Sequence, residues 1–185
     1  MNDTPRRILD AARRRIAAHG LGGASLQEIA DEAGVSKALL LYHFGDKDAL
    51  LAQLADRLSA AIATRERDAL DSAAGPGAID ALWRWLAGEL ERGELRVLLT
   101  MGTDDADPVR AAVAHGAARR RDAAAHTVAR LFALLGLRPR IAPPLLADVA
   151  IAFADGLALD PTQPPPGTQR VRFDVFWLAM LSLAE

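Results

Sequence analysis

An all-α fold is predicted for this 185-residue chain. Three observations predict it. Apolar residues make up 51% of the sequence, and Ala and Leu, both strong helix formers, are abundant. Apolar positions recur at three- and four-residue spacing through long segments. Runs of alternating β-branched residues, the mark of strands, are missing. Gly and Pro divide the chain into about nine helical segments. The length suits one large domain, or a small one joined to a larger one.

The first helix is expected from Thr4 to His19, with Thr4 as its cap and Pro5 at its first position. Ile8, Leu9, Ala12 and Ile16 form its apolar stripe. Gly20 stops it and GLGGAS makes the turn. Ser25 and Glu28 then form a Ser-x-x-Glu capping box for a second helix, Leu26 to Ala33. Gly34 ends that helix, and Ser36 caps a short third one, Lys37 to Phe44. After Gly45, Asp46 caps a long fourth helix reaching about Ala74, closed by Gly75-Pro76-Gly77. A fifth is expected from Ala78 to about Arg92 and a short sixth from Leu95 to Met101. Asp107-Pro108 opens a long seventh to about Leu135, and Pro143-Pro144 an eighth ending near Leu159. The PTQPPPGTQ segment is read as a loop, and a ninth helix runs from about Arg170 to Ala184.

Composition narrows the function. The formal charge is -2, so a nucleic-acid site has to be local rather than a bulk basic surface. Cysteine is absent, which removes disulfides, thiolate metal sites and Cys nucleophiles and suits a cytoplasmic protein. The amino-terminal stretch is charged and lacks an apolar signal core. The longest apolar run, Val175 to Leu181, is far short of the roughly 20 residues that span a bilayer, so no membrane is expected. No Gly-rich phosphate loop, HExxH or GxSxG motif is present, so the chain does not read as an enzyme, and no cofactor is expected.

Two short helices joined by a tight turn at Ala33-Gly34-Val35 match helix-turn-helix spacing. At about 100° per residue, Leu40 and Phe44 share a core face with Val35, while Lys37, Leu39, Leu41, Tyr42 and His43 point elsewhere. Exposed Lys, Tyr and His tips behind a Ser cap make a phosphate and groove surface. Lys47 adds a cation at a helix N-terminus. The same residues invite a plainer reading, since a Tyr-His-Phe trio in a helical protein is often core. Residues 1–50 balance seven Arg/Lys against seven Asp/Glu, with Arg6, Arg7, Arg13, Arg14 and Arg15 all on the first helix.

The segment SLQEIADEAGVSKALLLYHFGDKDAL resembles the DNA-binding region of the TetR family of bacterial transcriptional regulators. The resemblance is carried by Ser25, Ile29-Ala30, Ala33-Gly34-Val35-Ser36, Tyr42-His43-Phe44 and Lys47, and it covers about residues 5 to 55. It implies an amino-terminal three-helix DNA-binding domain, residues 1–46, and a helical ligand-binding and dimerisation domain, residues 47–185. It also implies a homodimeric repressor that binds a palindromic DNA operator and releases it when an unknown small-molecule effector binds. Carried over residue by residue, Ser36, Lys37, Tyr42, His43 and Lys47 contact backbone phosphates, and Gln27 lies near the same backbone. Leu39 and Leu41 stand where many members carry Thr or Ser and Tyr. Leucine touches a thymine methyl but forms no bidentate hydrogen bond. A helical adaptor or small-molecule-binding protein that kept the fold without specific DNA binding is the competing reading.

Two reading heads need a dimer. The last two helices are apolar around most of their circumference, so a partner chain is expected to cover them in a two-fold four-helix interface, unless they are simply the central helices of the domain. Leu146, Phe153, Leu157, Phe173, Phe176, Trp177 and Met180 are the residues expected there. For the effector, Arg65 and Arg120 interrupt apolar stripes. A buried Arg needs an anionic partner, either an acidic ligand or an internal carboxylate, unless it snorkels from the core edge. Trp83, Met101 and Phe132 are candidate pocket walls that plain core packing would equally explain. His115, Arg119, Asp122 and His126 form a polar stripe on the seventh helix. Its two His are about 16 Å apart along the axis and share no metal, so a solvated face is expected.

Overall fold

The structure is a computed structural model that describes residues 3–71, 73–75 and 77–185. Among the described residues there are nine helices: α1 (Thr4–His19), α2 (Leu26–Ala33), α3 (Lys37–Phe44), α4 (Lys47–Asp71), α5 (Gly77–Arg92), α6 (Glu94–Met101), α7 (Asp107–Leu134), α8 (Pro143–Leu159) and α9 (Pro166–Leu181). They form two compact units. One comprises Met1–Ser59 and Gly93–Ala117, the other Ala60–Arg92 and Ala118–Glu185, so α4 and α7 each contribute to both.

The first unit is built on α1, which packs against α2, α3 and α6. Ile8, Ala12 and Ile16 point inward at the spacing of one helix face, and Ile29, Leu40, Leu50 and Leu54 of the same unit are likewise at most 3% exposed. Where α7 passes α4, Gly116 is required by space. A Cβ there would lie 2.8 Å from both Cβ and Oγ of Ser59, which is itself fully buried.

The second unit packs α5, α8 and α9 together with the later turns of α4 and α7. Its core includes Leu82, Leu86, Val128, Leu131, Phe132, Leu146, Leu157, Phe173 and Trp177. Phe153 and Phe176 stack at 4.2 Å, pinning α8 to α9. Arg170 ties α9 to α5 by bonding Asp80 at 2.8 Å, and its guanidinium lies 5.8 Å from the Trp83 ring.

Four boundaries differ from expectation. The cap of α1 is Asp3, not Thr4, and no side chain closes it. Helix α9 begins at Pro166, so part of the segment read as a loop is helical. Proline lacks an N–H that the first turn does not need, so it opens a helix as readily as it breaks one. At its other end α9 stops at Leu181, and the tail pairs with the segment after α7. Glu185 N–H donates to Arg138 O at 3.0 Å, and Arg138 N–H to Glu185 O at 2.9 Å. Helix α4 ends at Asp71; Ser72 and Pro76, expected near its end, lie outside the described residues.

Candidate nucleic-acid interface

The helix-turn-helix is held by hydrogen bonds that the local sequence dictates. Ser25 Oγ accepts from Glu28 N–H at 3.3 Å, and Glu28 Oε2 accepts from Ser25 N–H at 2.9 Å, the reciprocal box expected for α2. These bonds from Ser25 hold the Glu28 carboxyl below the usual carboxylate range, and Arg15 adds to the effect. At the far end of α2, Gly34 adopts a left-handed conformation with φ of 64°. Val35 N–H then reaches back to Ala30 O at 3.0 Å, which turns the chain sharply into α3. Ser36 Oγ accepts from Leu39 N–H at 3.1 Å and caps α3, and Asp46 Oδ1 accepts from Ala49 N–H at 2.7 Å and caps α4.

Most of the α1 arginines are spent inside this unit. Arg7 donates to Ala33 O at 2.6 Å and so caps the end of α2 at the turn. Arg14 pairs with Glu32 at 2.8 Å and lowers the pKa of that carboxyl. Arg15 bridges Gly23 O and Glu28 Oε1, both at 2.9 Å. Arg6 lies 3.9 Å from Asp10, which also receives Arg57 at 2.8 Å.

Helix α3 buries Leu40 and Phe44. The opposite face, at about 100° per residue, is centred on Tyr42 with Ala38 and Leu39 beside it. Tyr42 is 83% exposed, Leu39 38%, and Ala38 and Lys37 are also exposed. Leu41 sits at the flank, half-buried, and Val35 is half-buried at the turn. Gln27 is exposed on α2, its amide bonded to Asp31 at 2.8 Å. Lys47 Nζ is 3.4 Å from Leu21 O, and His43 turns a buried, unpartnered Nε2 inward while its ring edges against Tyr42 and Phe44. Lys47 therefore has an internal hydrogen bond in this arrangement, whereas the buried His43 Nε2 does not. Ala38 was not singled out in the sequence; its small side chain carries no chemical signal, and only its place on the outward face marks it.

The residues expected around an effector are dispersed. Met101 is fully buried in the first unit; Arg65, Trp83, Arg120 and Phe132 belong to the second. Arg65 grips Glu89 through two bonds of 2.6 and 2.7 Å, and Arg92 approaches the same carboxylate at 3.3 Å. Arg120 pairs with Asp155. Both arginines thus have internal carboxylate partners, one of the two kinds their burial demanded. Phe132 lies in the core, and Trp83 packs on Phe173 at a centroid distance of 5.2 Å. Glu66 was missed. It is only 5% exposed, and burial pushes its pKa up to about 7 against the opposing influence of Thr127 and Arg120. The signal was available: Ile62, Glu66 and Leu70 are spaced four apart on one buried stripe.

On α8 and α9 the apolar residues divide into two faces. Leu146, Leu157, Phe173, Trp177 and Met180 lie in the chain's own core, and Phe153 and Phe176 are half-buried. The outward faces carry Leu145 and Val149 on α8 and Val171, Val175 and Leu178 on α9, each more than half exposed. The stripe is extended by exposed Ala152, Gly156 and Ala179. The side expected to meet a partner is thus the inner one by residue list, while the exposed apolar side runs along the opposite edge. A residue count by type cannot separate these faces; the register does.

Among the described residues, no helix is long and apolar enough to cross a membrane. The His115, Asp122 and His126 side chains are exposed on α7, and no group of three or more His, Asp or Glu among the described residues is arranged to hold a metal ion.

Residues 8–54, which span α1 to the first turns of α4, match the family described as bacterial regulatory proteins, tetR family. Over 96 residues the chain is 40% identical to the HTH-type transcriptional repressor Rv1474c of Mycobacterium tuberculosis, covering 46% of this chain and 47% of that protein. It is 42% identical over 48 residues to the repressor AcnR of Corynebacterium efficiens, 26% of each chain. The matched stretches thus span about half or less of these relatives. The whole fold is similar to the crystal structure of a transcriptional regulator from Rhodococcus sp. Rha1, with a TM-score of 0.80, 23% identity, and coverage of 98% of this chain and 97% of that one.

Proposed function

We propose that this chain, a TetR-family protein whose residues 8–54 carry the family's DNA-binding domain, is a cytoplasmic transcriptional repressor that binds a palindromic operator as a homodimer and acts by binding rather than catalysis. One observation carries the reading. Each helix of the α2–turn–α3 unit starts at a serine cap and ends at a glycine, while the outer face of α3 is left exposed, as a helix entering a major groove must be. Residues 1–46 form the DNA-binding domain and 47–185 the effector-binding and dimerisation domain. Lys37 and the Tyr42 hydroxyl reach backbone phosphates, with Ser36 and Gln27 close by and Lys47 and His43 available after local rearrangement.

The second copy covers the exposed stripes of α8 and α9. Leu145 and Val149 on one helix and Val171, Val175 and Leu178 on the other recur at the four- and three-residue spacing of a helix-bundle seam. A small-molecule effector binds the second unit and selects one setting of α4, the helix that begins beside α3 at Lys47 and ends among the buried polar groups around Glu66. The released state has altered head spacing.

The test is binding of the purified chain to DNA flanking its own gene across a salt series. Expected are tight binding to a palindromic segment, a linear fall of log affinity with log salt, and a shallower slope, by about one per subunit, for Lys37→Ala. Binding no tighter than to random duplex at every salt concentration, for both flanking DNA and selected sequences, would refute the proposal.

A further inference from the structure

We infer that the outward face of α3 reads its operator chiefly by apolar contact with thymine methyl groups in the major groove, with Leu39 and Ala38 as the specificity-determining residues. The inference rests on the DNA-binding role proposed above and adds the chemistry of the bases recognised.

The argument starts from the helical wheel. With Leu40 and Phe44 buried, the direction facing away from the core falls on Tyr42, flanked within about 60° by Ala38 and Leu39. A recognition helix presents its N-terminal residues to base edges. Those residues here are Lys37, Ala38 and Leu39. Of these only Lys37 can hydrogen-bond a guanine edge, and Ala38 and Leu39 form no hydrogen bond with any base. Neighbouring polar groups are already engaged. Ser36 Oγ is occupied in capping Leu39 N–H, and the Gln27 amide is held by Asp31. What remains exposed toward the groove is a methyl, an isobutyl group and an aromatic ring, bordered by one ammonium.

The major groove offers a matching surface. Thymine alone among the bases displays a methyl group there, and an apolar side chain is its natural partner. The exposed leucine makes sense on those terms. Left against water it gains nothing, whereas against a methyl it buries apolar area on both sides. With the Tyr42 hydroxyl assigned to a phosphate, hydrogen-bond discrimination falls to Lys37, whose ammonium donates to a guanine O6/N7 edge or a phosphate within reach. The operator is therefore expected to carry one or two invariant T·A pairs in each half-site, with weak preference elsewhere.

The experiment has two stages. Full-length protein first selects duplexes from a random-sequence pool. Each thymine of the enriched half-site is then replaced by uracil, which removes only the methyl. Loss of one buried methyl is worth about fourfold in affinity, so symmetric replacement in both half-sites weakens binding about 15-fold at the position read. Replacing that T·A pair by 5-methylcytosine·G recovers affinity relative to C·G. Leu39→Ala, its folding checked by melting temperature and circular dichroism, reduces the uracil penalty below twofold. Uracil tolerated at every thymine would overturn the inference while leaving the DNA-binding role intact, as would a uracil penalty unchanged in Leu39→Ala. Enrichment of no sequence above random would remove the DNA-binding role itself.

Discussion

Glu66→Gln is expected to stabilise the protein at pH 8 by about 3 kcal/mol and to leave it nearly unchanged at pH 4.5. Glu66 is 5% exposed on the inner stripe of α4, between Ile62 and Leu70. Thr127 Oγ1 lies beside it, buried and without a hydrogen bond of good geometry, and Arg120, already paired with Asp155, offers only a partial countercharge. Glu89, the other buried carboxylate nearby, pushes in the same direction as burial. Desolvation dominates, and the pKa rises from 4.5 to about 7. Each unit corresponds to about 1.4 kcal/mol, so the difference of about 2.5 units corresponds to roughly 3 kcal/mol. The sign follows from proton counting. Between pH 4.5 and 7 the folded chain holds a proton that the unfolded chain has released, so stability is full below pH 4.5 and falls until about pH 7, where it levels off. Glutamine has nearly the same shape and no charge to desolvate, so its stability lacks this slope. Urea denaturation followed by circular dichroism at several pH values between 4.5 and 8 measures both proteins. The difference between the two curves isolates Glu66, since every other titrating group is common to both. Parallel curves would refute the reasoning and mean that the carboxylate is ionised and hydrated in the folded state.

Three further outcomes follow from the same structure. Val175→Asp with Leu178→Arg is expected to convert the proposed dimer to a monomer in light scattering, with helicity retained, because both side chains are more than 60% exposed. Gly116→Ala is expected to cost about 1–3 kcal/mol, from the 2.8 Å clash with Ser59, and the double variant with Ser59→Gly to recover most of it in denaturant melts. Glu89→Ala is expected to cost about 3 kcal/mol, the lower edge for a broken buried pair, because Arg65 keeps partial access to water, and Glu89→Gln somewhat less.

The legible parts of this chain are those where one residue has one local job. Ser25, Glu28, Ser36 and Asp46 act on backbone groups within three residues, so their caps can be read from spacing alone. The core face of α3 is equally local, since Leu40 and Phe44 lie one turn apart. Long-range partners are less legible. Nothing near Arg7 in sequence announces that it closes the end of α2, 26 residues on, and nothing near Glu185 points to Arg138. The α8 and α9 residues fail for a different reason. A helix apolar all round has two faces with the same composition, and only the packed structure says that Phe173, Trp177 and Met180 turn inward while Val171, Val175 and Leu178 turn out. Pro166 illustrates a rule with two outcomes, since proline both ends helices and starts them.

The arginines of α1 connect the fold to the way the interface has to work. Residues 1–50 have no net charge, and Arg7, Arg14 and Arg15 donate to Ala33, Glu32, Gly23 and Glu28 rather than outward. A reading head with so few uncommitted cations gains little non-specific attraction to DNA, because that attraction scales with the phosphates neutralised. On the proposed DNA-binding role, affinity then comes from doubling the head through the proposed α8–α9 seam and from the apolar groove contacts inferred for α3. The exposed apolar side chains of α3, α8 and α9 are what both proposals rest on, and both would reward the right sequence more than any sequence. The clamps that consume charge on α1 therefore favour discrimination over grip, since each arginine that holds the turn in place is one fewer that would hold an arbitrary duplex.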